Sequence, residues 1–212
     1  MITSGGRSRS RTGANIPTLP NNRLEPARST VLCNYVAAPR GSSGMLGRLP
    51  RHHPHGSPNG HSGKLRQADH RLARQARLAG NHPFGAVLVL DGKVVLTAQN
   101  TVTTDCDPTA HAETNLVSKA IRQLSPDQIH RSVLYTSCEP CAMCVGKMYW
   151  AGIRSIAYAL PAEELAALAG RDFLIPCSEL FGRAVEQVTI IGPLLLDEAR
   201  QVHLDFWPPP AV

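Results

Sequence analysis

The sequence of 212 residues has no wholly apolar stretch longer than the one at 86–90. A membrane-spanning helix needs about 20 consecutive apolar residues, so we predict that no segment crosses a bilayer. The beginning of the sequence also lacks the apolar core of a secretory signal peptide, which predicts the reducing environment of the cytoplasm. The six cysteines are therefore interpreted as thiols or metal ligands before disulfides.

Acidic residues are nearly absent from the first 63 positions. That stretch contains eight arginines and one acid, Glu25, which gives a formal charge of +7, whereas 14 basic and 15 acidic residues leave −1 on the rest. The stretch is also rich in glycine, proline and histidine, a composition that cannot offset the entropy of ordering. We predict a disordered tail at 1–63 and a folded domain at 64–212.

Three interpretations of the tail remain open. The favoured one is a solvated extension without a specific function, including one that results from a misassigned start. An organelle-targeting segment would also be rich in Arg and Ser and poor in acids, although the amphipathic helical pattern is missing. The third is polyanion binding through the arginines at 7–11.

From residue 64 onward, helical and strand-like patterns alternate. Apolar residues recur at helical spacing through 65–79, and Gly80 is expected to end this amphipathic helix. Apolar runs at 85–90 and 93–98 flank Asp91-Gly92, a dipeptide typical of hairpins. Further helices are predicted at 108–124, 140–151, 161–169 and 197–207, and strands at 132–136, 153–159 and 188–191. The alternation predicts a mixed sheet layered with helices, an α/β fold.

Two segments have the spacing of a metal site. His111 lies in the first, at 109–113, and Cys141 and Cys144 lie in the second, at 139–144. Each is predicted at a helix start, with Asp107 and Glu139 as the N-caps. A helix N-terminus favours a thiolate, which suits a soft cation. The resulting Cys2His set leaves one tetrahedral position open, as catalytic zinc sites do.

Glu113 follows His111 by two residues, about 200° around a helix of roughly 3.6 residues per turn. We therefore expect it not to be a fourth ligand but to stand beside a bound water and transfer its proton. Zinc lowers the pKa of such a water to about 7. The combination H-x-E and P-C-x-x-C is typical of zinc deaminases that act on cytosine or adenine.

On these motifs the sequence resembles the cytidine and deoxycytidylate deaminase superfamily, most closely the guanine-deaminase-like bacterial base and nucleoside deaminases. The likeness extends over 67–208 and is carried by the segments at 83–87, 107–113 and 135–144 and by Tyr149-Trp150. It implies a three-layer fold with a central five-stranded sheet and an assembly of dimers or larger. It also implies that His111, Cys141 and Cys144 bind Zn²⁺ and that Glu113 is the proton shuttle.

The resemblance further implies that Asn100 contacts the bound base and that Asp172 is the acid that recognises a purine. Phe84 either lines the pocket and stacks on the base or belongs to the core. Cys138 also forms a C-x-x-C pair with Cys141, so a structural Cys3His zinc site stays open as an alternative.

The expected substrate is a small-molecule nucleobase or nucleoside, with guanine first. Residues 186–212 contain four acids and one arginine, which disfavours nucleic acid as a partner because RNA binding needs cationic contacts to phosphate. The alternatives are a tRNA adenosine deaminase, a cytosine or cytidine deaminase and, in another class, a non-catalytic zinc-stabilised RNA-binding module.

Overall fold

The structure, a computed structural model, describes residues 61, 63–64, 67–170 and 175–207. Five strands in these residues form one sheet: β1 (Gly85–Leu90), β2 (Lys93–Gln99), β3 (Val133–Cys138), β4 (Ser155–Leu160) and β5 (Thr189–Ile191). Their order is β2-β1-β3-β4-β5. β1 is antiparallel to β2 and β3, whereas β3, β4 and β5 run parallel. The predicted mixed five-stranded sheet is confirmed, while the division into a tail and a domain stays a prediction.

The hairpin between β1 and β2 turns at the predicted dipeptide. Asp91 and Gly92 have φ angles of 49° and 77°. Two consecutive left-handed residues make a tight turn whose twist matches that of the flanking strands, and Asp-Gly tolerates this conformation better than most pairs. The hairpin is therefore determined by its local sequence.

The helices cover both predicted and unexpected segments. A π-helical stretch, Gln67–Ala73, continues as the α-helix Arg74–Leu78, and the two together are named α1. The others are α2 (Ala112–Gln123), α3 (Pro126–Arg131), α4 (Ala142–Ala151), α5 (Ala162–Ala169), α6 (Cys177–Gly182) and α7 (Leu196–Gln201). The predicted start at 108 and the predicted end at 207 are wrong, and α3 and α6 were not predicted. No helix within the described ranges is long and apolar enough to cross a membrane.

The strand register places α1 and α2 on opposite faces of the sheet. Ala86 pairs with Thr136, so both side chains project to one face, where Thr136 donates a hydrogen bond to Glu113 of α2. Gly85 projects to the other face, where an added Cβ would collide with Ala68 of α1. Glycine is required there because the helix backbone approaches the strand closely. The sheet thus lies between helical layers.

One edge of the sheet collects the ends of four strands. Because β1 is antiparallel to β2 and β3, its first residue lies beside the last residues of its neighbours, and β4 ends there too. The central strands are anchored by fully buried aliphatic side chains, which are Leu88, Leu134, Ile156 and Leu160. Loops that follow this edge are consequently held on a rigid, buried support.

Candidate metal centre and active site

His111, Cys141 and Cys144 come together beyond this edge of the sheet. The Sγ atoms of the two cysteines lie 3.6 Å apart, and each lies 3.6 Å from His111 Nδ1. A tetrahedral zinc ion with Zn–S near 2.3 Å and Zn–N near 2.1 Å separates its ligand atoms by about 3.6 to 3.8 Å. The three donors therefore fit Zn²⁺ in both chemistry and spacing, and they could hold it.

Two helix N-termini meet at this cluster. His111 is the N-cap of α2 and Cys141 is the N-cap of α4, both in an extended conformation, and the two helices pack against each other. The positive ends of two helix dipoles therefore point at the site, which favours the thiolate form of the cysteines. A thiolate is the form that binds a metal.

The predicted N-caps are wrong because both acids have other partners. Asp107 Oδ1 accepts hydrogen bonds from the backbone nitrogen of Thr109 at 2.8 Å and from its hydroxyl at 2.7 Å. These bonds lower the pKa of Asp107 and stabilise a turn rather than a helix. The chain continues through turns until His111, so the imidazole occupies the helix terminus itself.

The contact between the two cysteines separates their acidities. The contact with Cys144, followed by that with His111, lowers the pKa of Cys141 to about 4, against the opposing effect of burial. The pKa of Cys144 is raised well above its usual value by the contact with Cys141 and by burial. One thiolate is thus available at neutral pH, and a bound cation would favour ionisation of the second.

Glu113 lies beside the cluster and is not one of its donors. Its side chain is 5% exposed, Oε1 accepts a hydrogen bond from Thr136 Oγ1 at 2.9 Å, and Oε2 lies 3.6 Å from Cys144 Sγ. Burial raises the pKa of Glu113, while the charge of His111 partly opposes the increase. A carboxylate with a raised pKa that faces a metal site can take up a proton and release it again during a reaction.

Asn100 directly follows β2 at the same edge. It is fully buried, its Oδ1 accepts a hydrogen bond from Val102 N at 3.1 Å, and its Nδ2 has no hydrogen-bond partner among the residues that the structure describes. The neighbouring backbone connects it to the metal loop, because Thr101 N donates to Ala110 O. A buried amide donor whose chain neighbour bonds to the loop before His111 is suited to bind a polar ligand.

Comparison with known proteins identifies the family. Residues 62–160 match the cytidine and deoxycytidylate deaminase zinc-binding region. A probable cytosine deaminase from Schizosaccharomyces pombe is 37% identical over 146 residues, which cover 65% of this chain and 86% of that protein. The chain belongs to this deaminase family. Zinc is accordingly its metal, and the His-Cys-Cys cluster is suited to hold it.

Two further comparisons define the range of relatives. Guanine deaminase from Bacillus subtilis is 50% identical over 90 residues, so the match covers 42% of this chain and 57% of the relative's length. A solved structure from a study of A-to-I editing by tRNA:A34 deaminases is 26% identical, with a TM-score of 0.56, and the alignment covers 66% of this chain and 99% of that one. The family fold is thereby shown.

The remaining predicted site residues of this deaminase that the structure describes lie in different surroundings. Phe84 immediately precedes β1, is buried as part of the core, and accepts a hydrogen bond from Asn100 N through its carbonyl, so this core residue also lies next to Asn100. Cys138 is buried and is not part of the metal-binding group found in the described chain, so the Cys3His alternative gains no support. Asp172 lies outside the described residues.

Sequence reasoning did not find Thr136 and misinterpreted Glu139. The Glu139 carboxylate accepts hydrogen bonds from Ala162 N at 3.0 Å and from Cys177 N at 2.8 Å, the first residues of α5 and α6. It thus fastens two later helices to the strand that leads into the cysteine motif. One signal for Thr136 was present in the sequence. Thr136 lies at the end of the predicted strand, two residues before Cys138, and alternate strand residues project to the same face, so Thr136 shares a face with the residue that leads into the cysteine motif.

Proposed function

We propose that this chain hydrolytically deaminates a nucleobase or nucleoside, with guanine as the first candidate, and that His111, Cys141 and Cys144 are its zinc ligands. The observation that carries the proposal is the buried Glu113 carboxylate held beside the Cys2His cluster. The similarity to guanine deaminase supports guanine as the first substrate to test.

Glu113 would act as the proton shuttle. The hydrogen bond from Thr136 fixes Oε1, which leaves Oε2 on the side of the cluster, and burial keeps the pKa of the carboxyl high. Zinc, when bound, lowers the pKa of a coordinated water and so supplies a nucleophile at neutral pH. Glu113 takes the proton of the attacking water and passes it to the amino group, which leaves as ammonia.

Asn100 and Phe84 are proposed to bind the base. The Asn100 amide presents N–H donors from a fully buried position, and the backbone nitrogen of Asn100 donates to the carbonyl of Phe84. Aromatic rings stack on flat heterocycles, and amide donors recognise ring carbonyl oxygens. Asp172 remains a prediction as the acid that recognises a purine.

The test is an ammonia-release assay with guanine, guanosine, cytosine, cytidine and adenine, together with the zinc content of the protein. We expect Glu113→Gln to retain one zinc per chain and to lose activity by about 1,000-fold or more, because the shuttle is removed. Glu163→Gln, at an exposed position of α5, is the matched control and should be as active as the wild type. Silence of every substrate with zinc bound would refute the proposal.

Adenosine in tRNA is a second candidate substrate, favoured by one surface feature. A groove between α1, α2 and β2 is lined by three cationic side chains, Arg71, Lys119 and Arg122. Arginine and lysine side chains on one surface can contact phosphates, and one acid, Asp105, lines the same groove. Formation of inosine in an anticodon-loop RNA would support this candidate. If Arg122→Ala lost inosine formation, the groove would be assigned as the RNA-binding surface. The non-catalytic RNA-binding module would be favoured by a different result. In that case the zinc-loaded protein would bind RNA but deaminate no substrate, and Glu113→Gln would bind RNA as tightly as the wild type.

A homodimer is proposed as the assembly. Trp150 at the end of α4 is 80% exposed and Leu78 at the end of α1 is 88% exposed. Aromatic side chains are enriched at protein–protein interfaces, which makes Trp150 the residue to test. Light scattering should give twice the chain mass, and Trp150→Arg should give the monomer if this residue lies in the interface.

A further inference from the structure

His203 is a buried histidine near the deaminase site, without an assigned function. It is 1% exposed and follows α7 in the segment at 202–207, which we call the C-terminal segment. Its Nε2 has no hydrogen-bond partner in the described part of the chain. A buried polar atom without a partner loses its hydrogen bond to water and gains none in the fold, so such an atom requires an explanation.

The protonation of the ring follows from its other nitrogen. Trp207 Nε1 lies 3.2 Å from His203 Nδ1, and an indole nitrogen can only donate. His203 Nδ1 must therefore accept, and in a neutral imidazole the proton is then on Nε2. Burial, followed by the charge of Arg77, lowers the pKa of His203 to about 4, which keeps the ring neutral at pH 7. The unmatched atom is therefore an N–H donor.

Phe84 links this donor to the active-site edge. The rings of His203 and Phe84 have centroids 5.4 Å apart, and Trp207 lies 6.1 Å from Phe84. Phe84 immediately precedes β1, and its carbonyl accepts the hydrogen bond from Asn100 N. Asn100 and His203 thus both contact Phe84, the first through its backbone and the second through its ring, and the buried donors Asn100 Nδ2 and His203 Nε2 are both without partners among the described residues.

We infer that His203 Nε2–H is a specificity-determining donor, which binds a ring carbonyl oxygen of the substrate. The inference rests on the proposed function and narrows its substrate class. Two unmatched donors require a ligand that presents acceptors, and lactam heterocycles such as guanine provide a carbonyl oxygen in the ring plane. A heterocycle without that oxygen would leave the His203 donor buried and unsatisfied, which lowers its reactivity.

The experiment compares guanine with 2-aminopurine, which has the same amino group but lacks the carbonyl oxygen. We expect the wild type to prefer guanine in kcat/KM, and His203→Phe to reduce that preference by about 10- to 100-fold by losing activity on guanine alone. His203→Gln keeps an N–H donor and should recover part of the preference. His130→Phe, at an exposed histidine, should leave it unchanged.

The outcomes separate this inference from the proposed function. Silence of the zinc-loaded wild type on every substrate of the panel overturns both, whereas silence on guanine with activity on another substrate overturns this inference alone. An active wild type with the same guanine preference in His203→Phe also overturns this inference alone. Equal loss on both substrates indicates a structural role and also overturns it. Histidine ¹⁵N spectra provide a readout that does not depend on activity: we expect protonated Nε2 and unprotonated Nδ1 at pH 7, and the opposite tautomer would refute the inference.

Discussion

The metal cluster and the C-terminal segment both border the active-site edge, but they are built in different ways. The cluster consists of three residues that cap or begin two long, packed helices, and its donors satisfy one another at 3.6 Å. The C-terminal segment follows a short helix, contains a residue with positive φ at Asp205, and buries a donor that has no partner among the residues described by the structure.

This difference reflects what each region has to hold. A cation needs a rigid set of ligands whose positions precede binding, and helix N-termini supply both rigidity and favourable charge. A segment that contacts an organic substrate can keep unsatisfied groups that the ligand later matches. We therefore expect substitutions in the cluster to abolish binding and chemistry, and substitutions around the C-terminal segment to change selectivity and stability by smaller amounts.

The largest effect is expected from breaking the cluster. Cys144→Ser replaces a soft ligand with a hydroxyl, so the protein should lose its zinc and more than about 1,000-fold of its activity. Metal analysis by mass spectrometry and the ammonia assay measure the two losses. Cys106→Ser, at an exposed cysteine, is the control and should retain both. One zinc per chain in Cys144→Ser would contradict the assignment of the ligands.

The next effect concerns Glu139, which joins the motif strand to the later helices. In Glu139→Gln the side chain keeps one acceptor oxygen and gains an NH₂ group. Because the backbone nitrogens of Ala162 and Cys177 both need an acceptor, one of them would face this NH₂ donor and lose its hydrogen bond. We expect the free energy of unfolding to fall by about 2 kcal/mol in urea titrations. Glu163→Gln should change it by much less. An unchanged unfolding midpoint in Glu139→Gln would show that water replaces the carboxylate without cost.

The pH dependence tests the burial of His203. Its pKa is about 4 in the folded protein and near 6.5 when unfolded, so the unfolded state binds more protons between these values. The stabilisation is complete above pH 6.5 and is lost as the pH falls toward 4, by about 2 kcal/mol at pH 5. When the pH is lowered from 7 to 5, the free energy of unfolding of the wild type should fall by about 2 kcal/mol more than that of His203→Phe. An equal fall in the free energy of unfolding of the two proteins would contradict the burial of a neutral His203.

The difference between the two proteins is the informative quantity. Acid also protonates the metal ligands, and this contribution is common to the wild type and the variant. Only the term from His203 differs between them.

The predictable parts of this fold are those with local determinants. The Asp91-Gly92 turn and the buried strands need no distant partner, and the metal motif is recognisable from its spacing. The helix start at Asp107 was mispredicted because Thr109 binds the carboxylate that would otherwise cap a helix. The helix α3 was missed although Ser125 and Gln128 form a reciprocal capping box, a signal present in the sequence.

The C-terminal part of the site could not be predicted in this way. His203 has no spacing relation to any other functional residue, and its importance arises only when the chain returns to Phe84 across the sheet. Glu139 is similar, because its partners at Ala162 and Cys177 are defined by tertiary structure. Residues that act through contacts distant in sequence leave no periodic signal to detect.

The smallest predicted effect tests how the C-terminal segment is attached. Arg77 of α1 donates to the carbonyls of Val202 at 3.0 Å and Leu204 at 2.8 Å, and its guanidinium lies 5.6 Å from the centroid of the Phe206 ring. Both hydrogen bonds come from Nη1, and lysine lacks the planar guanidinium that lies over the Phe206 ring, so Arg77→Lys should lower the free energy of unfolding by about 1 kcal/mol.

Hydrogen exchange locates this loss. Amides at 202–207 should exchange faster in Arg77→Lys, while those of the helices α2 and α4 that carry the cluster should keep their protection. Arg74→Lys, at an exposed position of α1, is the control and should leave both regions unchanged. If protection fell equally in α2 and α4, the two regions would open as one cooperative unit. The cluster and the C-terminal segment could then not be adjusted separately, and selectivity could not change at His203 without a cost to the metal site.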